Sequence, residues 1–90
     1  MKKITVIKIE GDPYCAQIRD ILDKLTFEYS KVEVEVVDAR IQPESVEQFK
    51  GKYRHVPSIF MDGQKLYESH PGESFEDCLE GFRKAFKTAS

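Results

Sequence analysis

The sequence has little net charge, few cysteines and no long apolar run. Its 14 basic and 16 acidic residues leave a formal net charge of -2, and a field this weak does not gather nucleic acid. The first apolar segment is interrupted at Lys8, so it is too short for a signal sequence or a membrane-spanning helix. We therefore expect a soluble, cytoplasmic monomer whose partners include neither nucleic acid nor a membrane.

Cys15 and Cys78 are the only cysteines, and they lie far apart in the chain. Disulfide frameworks and zinc modules are built from closely spaced cysteines or histidines, and neither kind of pair occurs. We expect two reduced thiols and no bound metal. The 90 residues, of which 40% are apolar, suffice for a single core, and we expect one domain over residues 1–90.

Four segments have the apolar patterns of strands: residues 4–9, 32–37, 58–61 and 64–67. The first is a nearly continuous β-branched run, which is typical of a central strand covered on both faces. The second alternates with period two, as a strand with one wetter face does. Asp62 and Gly63 stand between the last two segments, and this residue pair predicts a β-hairpin.

Three helices are predicted between and after these strands. Asp12 supplies a capping oxygen and Pro13 suits the first helical position, so the first helix is predicted to begin there and to end near residues 25–27. A short second helix is predicted to open at Pro43, and the last helix is predicted to be capped by Ser74. The resulting order is β-α-β-α-β-β-α.

This order resembles the glutaredoxin branch of the thioredoxin fold, an α/β fold with a four-stranded mixed sheet and three helices. In glutaredoxins a Cys-Pro-Tyr-Cys sequence opens the first helix, and the corresponding residues here are Asp12, Pro13, Tyr14 and Cys15. The family also has a Val-Pro dipeptide, with the proline cis, just before a strand. Residues 56–57 are Val-Pro and match that motif.

The resemblance implies thiol–disulfide exchange, but the nucleophile position holds Asp12. A carboxylate does not exchange with disulfides, so Asp12 is interpreted as a helix cap. Cys15 is the candidate thiol: the helix N-terminus lowers its pKa, whereas the charge of Asp12 raises it. In an alternative register, Cys15 takes the first cysteine position and Ile18 the second, which also leaves a single thiol. Cys78 falls on the apolar stripe of the last helix and is interpreted as structural.

The resemblance places substrate binding at Val56 and Pro57, with Arg54 beside them, and the backbone of Val56 is expected to pair with an extended peptide. Glutathione is less well supported, because Ile9 and Glu10 occupy the place of the family's lysine. The family's Gly-Gly-x-x-Asp segment is also missing after the hairpin. We therefore expect no cofactor, and a thiol- or disulfide-containing protein or peptide as the partner.

Two functions remain open at this point. The first is a glutaredoxin-like thiol–disulfide oxidoreductase with a degenerate single-cysteine site and weak or altered activity. The second is a non-catalytic module of the thioredoxin fold that binds a peptide or protein without any redox step.

Overall fold

The structure is a computed structural model that describes residues 3–90 and leaves out the side chain of Tyr14. Its strands are β1 (Lys3–Lys8), β2 (Glu33–Asp38), β3 (Ser58–Met61) and β4 (Gln64–Glu68). They form one four-stranded sheet in the order β2-β1-β3-β4. β1 pairs in parallel with β2 and antiparallel with β3, so the sheet is mixed and β1 lies inside it.

Helices cover this sheet. They are α1 (Ile18–Glu28), a 3-10 helix (Pro43–Phe49) and α2 (Phe75–Ala89), and a short 3-10 turn (Pro13–Cys15) precedes α1. The predicted number and order of elements are therefore confirmed.

The core lies between the sheet and its helices. Its fully buried large side chains include Ile4, Val6, Ile21, Leu25, Ile59, Phe60, Phe82 and Phe86. α2 contacts β1, β3 and β4 and also packs against α1, whereas the 3-10 helix contacts β2. Phe49 of the 3-10 helix stacks on Phe60 of β3 with 4.4 Å between ring centroids.

The hairpin and the last helix have the local structure that their sequences predict. Asp62 and Gly63 adopt positive φ angles of 52° and 80°, as both central residues of a type I′ turn do. The Ser74 hydroxyl accepts a hydrogen bond from the Asp77 N–H at 3.1 Å and caps α2. Cys78 lies in the core and is 5% exposed, which confirms its predicted burial.

The predicted start of the first helix is wrong. α1 begins at Ile18 after Gln17, and Asp12 does not cap it. Asp12 instead opens the 3-10 turn, where its carbonyl accepts the Cys15 N–H at 2.9 Å. Cys15 at the end of this turn and Ile18 at the start of α1 are both buried.

The second predicted helix is 3-10 rather than α-helical. Its buried residues, Val46 and Phe49, are three positions apart, and the whole segment Pro43–Phe49 is a 3-10 helix. It ends at Phe49, and Lys50 caps it. Gly51 follows with a φ of 81°, which is unfavourable for any residue with a side chain.

Candidate thiol site

A cleft of about 520 Å³ opens beside the 3-10 turn. It runs from the loop after β1 along α1 to the edge strand β2. The cleft is lined by Lys8, Ile9, Glu10, Gly11, Asp12, Pro13, Cys15, Ala16, Ile18, Arg19, Leu22 and Val36. Three of the predicted site residues, Asp12, Pro13 and Cys15, therefore share one cavity.

Cys15 lies in the wall of this cleft and is 8% exposed. Burial raises the pKa of its thiol above 9.0, and the charge of Asp12 raises it further. The backbone of Ile9 and the ammonium of Lys8 act in the opposite direction and do not compensate. Cys15 is therefore mostly a protonated thiol at neutral pH, and a thiol in this form is a slow nucleophile.

Lys8 lines the cleft and acts electrostatically on the Cys15 thiol, and its own charge is paired with a carboxylate. Its ammonium nitrogen lies 2.7 Å from a carboxylate oxygen of Glu10. The hydrogen bond to Glu10 raises the pKa of Lys8 and outweighs the opposing effect of burial. The sequence did not predict a role for Lys8 at this site, because there Lys8 only interrupts the first apolar segment.

Asp38 at the end of β2 fixes the loop that carries Glu10. Its carboxylate, 6% exposed, accepts hydrogen bonds from the backbone N–H groups of Glu10 at 2.9 Å, Arg40 at 2.9 Å and Ile41 at 3.1 Å. Burial opposes its ionisation, but these donors prevail and lower the pKa of Asp38. The hydrogen bonds from Arg40 and Ile41 could have been predicted from the sequence, since an aspartate at the end of a strand commonly accepts from backbone N–H groups a few residues further on. The hydrogen bond from Glu10 could not, because Glu10 is distant in sequence.

Val56 and Pro57 lie apart from the cleft lining. The peptide bond between them is cis, and both side chains are buried. Arg54 is exposed, and its backbone N–H donates to Glu68 at 2.8 Å. Of the predicted site residues, Asp12, Pro13 and Cys15 thus line the cleft and Arg54, Val56 and Pro57 do not, while the side chain of Tyr14 is not described.

Glu68 holds the segment that leads to the ledge. One carboxylate oxygen accepts from the N–H groups of Arg54 and His55, both at 2.8 Å, and the other lies 2.5 Å from the Lys65 nitrogen. Burial opposes its charge, but these three donors lower the pKa of Glu68 to about 2. The sequence does not mark this residue as an anchor, because its two backbone partners, Arg54 and His55, lie on a segment before β3.

Among residues 3–90, no three histidine, cysteine or acidic side chains are grouped so as to hold a metal ion. Within the same range no helix is long and apolar enough to cross a membrane.

Solved structures that resemble this chain include thioredoxins and a glutaredoxin. Thioredoxin 1 from Thermosipho africanus aligns at 14% identity over 96% of this chain and 96% of that chain, with a TM-score of 0.61. Oxidised thioredoxin from Plasmodium falciparum aligns at 16% identity over 98% of this chain and 81% of that chain, with a TM-score of 0.66. Reduced Escherichia coli glutaredoxin aligns at 26% identity, covering 96% of this chain and 94% of that chain, with a TM-score of 0.57. The four-stranded mixed sheet with its three helices is thus the thioredoxin fold.

The sequence narrows this class to one family. The glutaredoxin family model matches residues 4–66, which span β1 to β4. The chain therefore belongs to the glutaredoxin family, a family of proteins similar to thiol–disulfide oxidoreductases. No curated protein matches the chain.

Proposed function

We propose that this chain is a glutaredoxin-like thiol–disulfide oxidoreductase that works with a single thiol, Cys15. The observation that carries the proposal is that Cys15 lines the cleft beside the 3-10 turn and is the only cysteine among its described lining residues. The family match over residues 4–66 supports the same class of chemistry.

The reaction needs one thiol of the protein and two thiols from solution. The Cys15 thiolate attacks a sulfur of the substrate disulfide, the substrate's S–S bond breaks, and the departing sulfur leaves as a thiolate that takes up a proton. One external thiol then attacks the Cys15 sulfur of the mixed disulfide, and the remaining substrate sulfur leaves as a thiolate that takes up a proton. A second external thiol attacks the sulfur of the first, so that their disulfide forms and Cys15 is released. The substrate is reduced by two electrons while two external thiol sulfurs are oxidised to a disulfide. Asp12, at the family's nucleophile position, takes no part in the exchange.

Substrate binding is proposed at the ledge formed by Val56 and Pro57, with Arg54 at its rim. An extended stretch of a disulfide-containing protein or peptide would pair there with the backbone of Val56. The hydrogen bonds from Arg54 and His55 to Glu68 support this assignment, because they hold the segment before the ledge in one conformation.

The expected activity is weak, because burial and the charge of Asp12 both raise the pKa of Cys15. The same observation favours the second candidate, a peptide-binding module without redox activity. The deciding assay is turnover of a small mixed disulfide with excess reduced glutathione, with Cys15→Ser as the matched variant. Slow turnover that Cys15→Ser abolishes supports the oxidoreductase. Turnover equal to that of Cys15→Ser would assign the chain to the binding module.

A further inference from the structure

The walls of the cleft beside Cys15 are mainly apolar. Ile9, Ile18, Leu22 and Val36 contribute side chains from the loop after β1, from α1 and from β2. Val36 stands on the edge strand and is 41% exposed, whereas its neighbour Val37 is 2% exposed. The volume of about 520 Å³ falls among the values of ligand pockets, about 300–1,000 Å³, so the cleft has room for a large side chain.

The charges around the cleft do not favour an anionic ligand. The ammonium of Lys8 already lies 2.7 Å from Glu10, and the Asp38 carboxylate acts on it electrostatically. The carboxylates of Glu10 and Asp12 and the guanidinium of Arg19 stand in the same lining, which therefore holds two cations and two anions. The charges of the lining balance, so the cleft favours neither an anionic nor a cationic side chain, and its apolar walls favour an uncharged one.

We infer that this cleft is the subsite for a large uncharged side chain beside the reacting cysteine of a disulfide-containing peptide. The inference rests on the proposed function of Cys15 and adds the substrate class. Adjacent Cα atoms are about 3.8 Å apart, so the residue next to a cysteine bonded to Cys15 lies within reach of the cleft. Removing its apolar surface from water stabilises the complex on the path to sulfur exchange.

Four peptides of the form Gly-Xaa-Cys-Gly test the inference, with Phe, Ala, Lys or Glu as Xaa. Each peptide cysteine is activated as a mixed disulfide with 2-thiopyridine. The Cys15 thiolate attacks the peptide sulfur, the S–S bond breaks, and pyridine-2-thione leaves with a proton and is followed by its absorbance. Each rate is divided by the rate of N-acetylcysteine amide with the same peptide, and peptide mapping locates the modification at Cys15.

The Phe peptide is expected to react at least about tenfold faster than the Lys and Glu peptides after this normalisation. Val36→Glu, which places a charge in one wall, should reduce that advantage to less than about threefold. Leu22→Gln places a polar amide in the α1 wall and should also reduce the advantage of the Phe peptide. It replaces Val36→Glu in the test if that variant fails to fold. Ile41→Glu is the matched control, because Ile41 is 70% exposed and lies outside the described lining.

The outcomes distinguish the proposed subsite from the proposed reaction of Cys15. A Phe advantage that falls in a wall variant but persists in Ile41→Glu supports the subsite. Equal normalised rates for all four peptides, or an advantage that both wall variants retain, would overturn the subsite and leave the proposed function standing. Failure of Cys15 to react with any peptide, under conditions where N-acetylcysteine amide reacts, would overturn both.

Discussion

The ring of Tyr67 occupies the space in which a side chain at Gly81 would stand. A Cβ atom on Gly81 would lie 2.2 Å from Cε1 and 2.4 Å from Cδ1 of Tyr67. The ring is fixed, because its hydroxyl donates to the Glu73 carboxylate and its edge packs on Phe82 with 5.3 Å between centroids. This close approach of β4 to α2 accounts for a glycine inside a helix, where glycine costs about 1 kcal/mol relative to alanine.

Gly81→Ala is expected to destabilise the protein although alanine is the better helix former. Overpacking costs about 1–3 kcal/mol and outweighs the gain in helix propensity. Urea unfolding measures the change in the free energy of unfolding. In a Tyr67→Leu background, which removes the ring, the same substitution should be neutral or stabilising. If Gly81→Ala stabilises the protein in both backgrounds, the contact between Tyr67 and Gly81 does not exist in solution.

Glu68→Gln is expected to weaken the protein at neutral pH and to have little effect near pH 2. Since folding lowers the pKa of Glu68 from 4.5 to about 2, its carboxylate contributes stability that is complete above pH 4.5 and is lost as the pH falls toward 2. After allowance for screening by solvent, the contribution is about 1–2 kcal/mol.

Thermal or urea unfolding of both proteins between pH 2 and pH 7 measures this contribution. Glu47→Gln is the control: Glu47 is exposed, and this change should stay within about 0.5 kcal/mol at every pH. A difference between Glu68→Gln and the parent protein that is constant across the pH range would exclude an ionised, hydrogen-bonded Glu68.

Features set by neighbouring residues could be predicted from the sequence. The Asp62–Gly63 turn, the Ser74 cap and the buried Cys78 follow from positive φ, capping chemistry and helical spacing within a few residues. The anchor at Glu68 could not be predicted, because it forms only when β4 brings this carboxylate to the N–H group of Arg54.

The start of α1 shows how tertiary packing overrides a local signal. An Asp-Pro pair favours a helix start, yet the chain makes a 3-10 turn over Pro13–Cys15, and α1 begins at Ile18. Cys15 before α1 and Ile18 at its start are both buried in the core. The composition of the cleft could not be predicted either, since Val36 reaches it from a strand distant in sequence.

Charge substitutions around Cys15 are expected to change its reactivity in opposite directions. Asp12→Asn removes a charge that raises the pKa of Cys15, so alkylation by iodoacetamide at pH 7 should accelerate by about two- to fivefold. Lys8→Gln removes a charge that lowers this pKa, so alkylation should slow by a similar factor. Rates measured from pH 6 to pH 10 give the pKa of the thiol in each protein. Equal rates for both variants and the parent protein would show that neither the charge of Asp12 nor that of Lys8 controls the reactivity of Cys15.

Asp12→Cys is expected to create a pair of thiols that the natural sequence lacks. Residues 12 and 15 are joined by a 3-10 hydrogen bond from the Cys15 N–H to the Asp12 carbonyl, and side chains three positions apart eclipse in this geometry. The substitution therefore places a second sulfur on the same side of the turn as Cys15. It also removes a negative charge that raises the pKa of Cys15.

Two effects should follow from this substitution, and they are measured separately. Turnover of a glutathione mixed disulfide with excess reduced glutathione should rise by about tenfold or more over the parent protein, because position 12 is more exposed than position 15 and its thiolate attacks more readily. Mild oxidation should form a disulfide between residues 12 and 15, detected by mass spectrometry as a mass decrease of two hydrogen atoms. Asp12→Ser is the matched control, since it removes the charge without adding a thiol. It should form no disulfide, and its turnover should rise less than that of Asp12→Cys.

A folded Asp12→Cys protein that forms the disulfide but gains no turnover would mean that the substrate ledge at Val56 and Pro57 does not accept glutathione mixed disulfides. A folded protein that does not form the disulfide would show that the 3-10 turn does not bring these two positions together.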